Sequence, residues 1–77
     1  MKAKLVWNFS GEGAFKTAIH HLIHLKEYCQ KEKVEVLEYG TEQQNDFSAL
    51  SFMIVNEDLV ASLRVGLKPH QGFLVDS

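Results

Sequence analysis

The chain has little of what staples, kinks or recognises phosphate: one cysteine, one proline and one arginine. With Cys29 alone, no intrachain disulfide can form, so so small a domain depends on packing, a metal or a partner subunit. A lone thiol, together with a start (MKAKLVWNF) whose apolar run is too short for a secretory leader, leads us to expect a reducing, cytoplasmic location. Arg64 and the lysines are scattered, and the net charge is −2. Binding along a phosphate backbone needs a basic patch, so nucleic acid is not the expected partner. No stretch approaches the roughly 20 apolar residues that cross a bilayer, so no membrane span is expected.

What remains is ordinary for one globular domain, 1–77, with 45% hydrophobic residues. A chain of this size buries only about 60% of its unfolded surface, which leaves its stability marginal. KAKLVWNF (2–9) alternates, with Ala3, Leu5, Trp7 and Phe9 on one side, and predicts a half-buried strand. From Ala14 to Lys31, Phe15, Ala18, Leu22, Leu25 and Cys29 recur at spacings of three and four, the pattern of an amphipathic helix. VEVLEYG (34–40) predicts a second strand, TEQQND a polar connection, and FSALSFMIV (47–55) a third, central strand.

Residues 57–68 allow two readings. As a strand, Ala61, Leu63, Val65 and Leu67 alternate. As a helix, Asn56 caps the start, Glu57 and Asp58 complement the dipole, Leu59, Val60, Leu63 and Leu67 form a stripe, and Pro69 ends it. The cap chemistry favours the helix, against the presence of Gly66. GFLVDS (72–77) then supplies a last strand. The expected architecture is α+β: a ferredoxin-like split β-α-β-β-α-β, its antiparallel sheet carrying two helices on one face. Such a topology hosts metal carriers, regulatory modules, RNA binders and enzymes, so it selects no function.

The unusual feature is TAIHHLIHLKEY (17–28), which holds three of the four histidines. At about 100° per residue, His20, His21 and His24 turn away from the stripe that includes Phe15 and Leu22. His20 and His24, one turn apart, are spaced to share a zinc or copper ion, with Glu27 the nearest third ligand. No HExxH motif is present, so no general base is built in. Cys29 falls on the apolar side and reads as packing, not as a nucleophile. SGEG (10–13) matches no phosphate-binding fingerprint, KPHQG (68–72) reads as helix termination, and the aromatic pair Trp7 and Phe9 falls under the helices instead of forming a platform for bases.

These residues assemble no catalytic pair or triad, so the expectation is a non-enzymatic binding domain needing no cofactor, with a histidine-dependent metal protein as the alternative. Self-association as a homodimer, or docking of another protein, is expected through the open sheet face or a sheet edge. Taking Leu50, Phe52 and Ile54 as turned under the helices leaves Val6, Ala49, Met53 and Val55 as the expected interface.

Overall fold

The computed structural model describes residues 1–75; positions 76 and 77, with which the expected last strand ended, lie outside them. The elements run β1 (Lys2–Ser10), α1 (Ala14–Lys31), β2 (Glu38–Asn45), β3 (Ser48–Asn56), a 3-10 turn (Glu57–Leu59) leading into α2 (Val60–Leu67), and β4 (Gln71–Val75). The strands form one antiparallel sheet in the order β2-β3-β1-β4, with β1 and β3 central. Leu25 and Cys29 of α1 and Leu63 of α2 share a core with Leu5, Trp7, Met53 and Val55, which puts both helices over the same face. No helix among the described residues is long and apolar enough to cross a membrane.

Between β1 and α1 the chain turns through Gly11 and Gly13, at φ 102° and 77°. Both angles are in the region that glycine alone enters without steric cost. The 57–68 segment is helical. Asn56 Oδ1 accepts from the Asp58 N–H at 3.5 Å, and Lys68 closes the helix in the left-handed conformation, its N–H donating to the Arg64 carbonyl. Gly66, the residue that argued against a helix, has a packing reason. A Cβ there would project into the hydroxyl of Tyr28, so the glycine lets α1 and α2 approach.

Two expectations are corrected. The second strand is not 34–40 but Glu38–Asn45. Val34 and Val36 pack against the core from an extended connection, and the ladder is joined only when the Leu37 N–H donates to the Ile54 carbonyl. The TEQQN stretch, expected as a loop, is itself ladder. An edge strand can be this polar because few of its side chains must be buried. Its hairpin closes at Asp46 and Phe47, where the Phe47 N–H donates to Asn45 Oδ1 at 2.8 Å.

The second correction concerns the facing of β3. Directly opposed residues of an antiparallel pair share a face. The register sets Leu5 against Met53, Trp7 against Ser51 and Phe9 against Ala49, so Ala49, Ser51, Met53 and Val55 lie under the helices. Leu50, Phe52 and Ile54 lie on the open face instead. Ala49 packs with Ala14 and Ala18 of α1, and three small side chains let helix and sheet come close. The larger leucine and phenylalanine at 50 and 52 would hold α1 off the sheet.

Trp7 joins these layers. It is 3% exposed, and its Nε1–H donates to the Leu67 carbonyl in the last turn of α2 at 3.0 Å. Replacing it by phenylalanine leaves a void and an unpaired carbonyl. The expected loss for Trp7→Phe is about 2–4 kcal/mol of unfolding free energy. Urea denaturation checks this, and a loss below about 0.5 kcal/mol, the level of a neutral surface change, would contradict it.

Candidate binding sites on the helix and at the sheet edge

The outward face of α1 carries His20 and His24 as the spacing implied. Both are exposed, with Nε2 atoms 3.0 Å apart and rings in edge-to-face contact, so one ring donates while the other accepts. Two nitrogens bound to one tetrahedral zinc would be about 3.3 Å apart, given Zn–N bonds of roughly 2.0–2.1 Å. The pair is therefore close to a chelating geometry. Glu27 does not complete it. Its Oε1 lies 3.5 Å from His24 Nδ1, the ring nitrogen away from His20, where a carboxylate orients the ring instead of sharing an ion. Among the described residues no group of three or more His, Cys, Asp or Glu is gathered for a metal.

His21 departs from the outward reading. It is half-buried, its ring 5.3 Å from those of both Trp7 and Phe9, and its Nε2 is buried without a hydrogen-bond partner. The buried residues of α1 are Ala14, Ala18, Leu25 and Cys29. At about 100° per residue their line is turned by about 40° from the stripe that the bulkier residues suggest, which brings His21 down onto the sheet. Ile19 and Ile23 are turned outward by the same rotation, at 41% and 51% exposure. The two alanines carried the true phase, but a pattern weighted by side-chain size points to its neighbour.

The remaining candidate residues separate. Cys29 is buried, as expected of a packing thiol. Burial and a hydrogen bond with that thiol push the Tyr39 phenol well above its ordinary range. Val6 does lie on the open face, but it is 3% exposed. Ala49, Met53 and Val55 are 0–1% exposed within the core, not on that face. The open face is largely covered by its own side chains. Phe52 lies across Gly40, where a Cβ would collide with its ring, and Lys4 Nζ sits 4.3 Å above that ring while reaching Glu42 at 3.9 Å.

Exposed large apolar side chains occur on α1 (Ile19, Ile23), on α2 (Val65), beside β2 (Leu37, Phe47) and on β4 (Phe73, Leu74), and the two edges of the sheet differ in how they are guarded. The outer strand β2 carries Glu38 and Glu42 and has a register irregularity between Gln43 and Asn45, features that discourage further strand pairing. The other outer strand, β4, has the sequence QGFLV and no charge. Phe73, opposite Lys4, projects from the open face at 50% exposure, and Leu74, opposite Ala3, from the helix face at 61%. Compared with family models, with curated proteins and with solved structures, the chain finds no match.

The position of His21 has a consequence for pH. Burial first, and then the charges of His24 and His70, lower its pKa from the usual 6.5. The unfolded chain therefore takes up this proton at a higher pH than the folded one. His21 costs nothing above its unfolded pKa and progressively destabilises the fold as pH falls from there toward the folded pKa. The melting temperature should drop between about pH 7.5 and pH 5, and His21→Leu should reduce that drop. Parallel melting profiles for the two proteins across that range would show that His21 is not the group responsible.

Proposed function

We propose that this is a non-enzymatic binding domain of the ferredoxin-like class that self-associates through the free edge of β4. One observation carries the reading: β4 offers an uncharged, unpaired edge with large apolar side chains on both faces, while β2 is guarded. Pairing β4 with β4 of a second copy about a two-fold axis satisfies the edge N–H and C=O groups and extends the sheet across both copies. It also brings Phe73 and Leu74 out of water, which a domain this small needs for stability. The buried, unpaired Cys29 suits a reducing compartment and supports a cytoplasmic setting.

Light scattering at about 100 µM, where mass action favours association, should give twice the 8.8 kDa chain mass. Leu74→Lys should restore the single-chain mass, because it places a charge at the edge in the way β2 does. Ile54→Lys, on the open face, should leave the dimer intact. A single-chain mass for the unaltered protein, or a dimer lost with Ile54→Lys and kept with Leu74→Lys, refutes the β4 interface.

A second reading, histidine-dependent binding of zinc or copper, is favoured by the 3.0 Å approach of His20 Nε2 to His24 Nε2. It is distinguished by thermal unfolding with zinc. A site filled at 100 times its dissociation constant gains about 2.7 kcal/mol, and His20→Ala with His24→Ala should abolish the gain while changing metal-free stability by less than about 0.5 kcal/mol. An unchanged unfolding transition in zinc removes this reading.

A further inference from the structure

Between α2 and β4, on the helix side of the sheet, lies a cleft of about 410 Å³. Its volume falls within the roughly 300–1,000 Å³ of small-molecule sites. The walls are apolar, with Val60 of α2 and Leu74 of β4 accessible above the buried Ala3 and Leu5 of β1. Gly72, opposite Leu5, leaves the floor open where a side chain would otherwise project into the cleft.

Of the polar residues along this cleft, Gln71 stands opposite Val6 with its side chain on the open face and His70 is turned to Asn8 and Phe9, which leaves Arg64 as the charged group on the helix side; among the described residues no acidic one lines the cleft. Arg64 is the only arginine of the chain, is exposed, and makes no ion pair among the described residues. The acceptor atoms of its two companions are already engaged. His70 Nδ1 accepts the Asn8 N–H at 2.8 Å, which leaves the proton of that tautomer on Nε2. Gln71 Oε1 accepts from Asn8 Nδ2 at 3.4 Å on the open face. The cleft thus offers a cation beside an apolar wall.

We infer that the α2–β4 cleft binds a small monocarboxylate with an apolar chain, its carboxylate on Arg64 and its chain along Val60 and Leu74. A guanidinium matches one carboxylate with two parallel hydrogen bonds, whereas a dianionic phosphate calls for more positive charge than a single guanidinium supplies. All these side chains belong to one copy, so the site forms without pairing through β4, though Leu74 is shared with that proposed interface.

Octanoate is a suitable probe, and octan-1-ol is its uncharged counterpart. In an amide-resolved titration of the whole chain, octanoate should bind saturably and shift Arg64, Gly72 and Leu74. It should bind about tenfold more tightly than octan-1-ol, as expected for a hydrogen bond to a charged group that is partly screened by water. Arg64→Gln, a substitution at an exposed position, should remove that preference and leave octan-1-ol binding unchanged. Equal affinities for acid and alcohol, an unaltered preference in Arg64→Gln, shifts confined to the open sheet face, or no saturable binding would each overturn the assignment. Because light scattering reads assembly separately, a monomer that binds octanoate refutes only the β4 interface, and a dimer that does not refutes only the cleft.

Discussion

The indole of Trp7 is the contact on which the arrangement of layers depends. Its ring is buried in the core, and its one polar atom must find an acceptor there. The Leu67 carbonyl, at the C-terminal end of α2 where carbonyls lack helical partners, supplies it. A single hydrogen bond therefore satisfies two groups that would otherwise be costly to bury, and it sets where α2 ends over the sheet. The same ring also packs against His21 of α1. One residue of a central strand thus touches both helices, in a domain whose core is too small to spread that task widely.

With β1 held in this way, the facing of β3 follows from the ladder and not from its own composition. Ser51, opposite Trp7, is fully buried, and its hydroxyl has no hydrogen-bond partner. A larger side chain there would compete with the indole for space beneath the helices. Ala49 with Ala14 and Ala18 meets the same constraint further along α1. The bulkier Leu50, Phe52 and Ile54 are consequently placed on the uncovered face, where Phe52 is half-buried between Gly40 beneath it and Lys4 above.

These relations explain which parts could be read from the sequence. The long helix and the 57–67 helix announce themselves through local signals: spacing, Asn56 at the start, Pro69 beyond the end. Strand β1 does so through alternation. The facing of β3 had no such signal, because both of its faces are apolar and the deciding information is its register against β1. Strand β2 was hidden for the opposite reason. Its Glu and Gln residues carry no apolar pattern, as an edge strand requires none. Among the histidines, spacing alone was sufficient to pair His20 with His24. It could not show that small alanines rotate α1 and bring His21 onto Trp7. The α2–β4 cleft was not legible at all, since Ala3, Arg64 and Leu74 meet only after the chain has folded back on itself.

The two edges of the sheet show the remaining asymmetry. A free strand edge is a liability unless charge, irregularity or a covering partner blocks it. β2 has the first two, in Glu38, Glu42 and the break near Gln43. β4 has neither, and its Phe73 and Leu74 are half-exposed or more. Nor does α2 close over it, because the helix stands away from β4 far enough to leave the cleft that contains Arg64. If the exposure of β4 were only tolerated, a lysine or glutamate at position 74 would lessen it without touching the core. The side chains that are present are instead apolar, and both proposals, a second strand along the outer edge and a carboxylate's chain along the inner side, rest on them. The guarded edge and the unguarded edge thus differ in charge, regularity and exposed apolar surface, and that difference is the ground of the proposal that β4 is where this domain meets a partner.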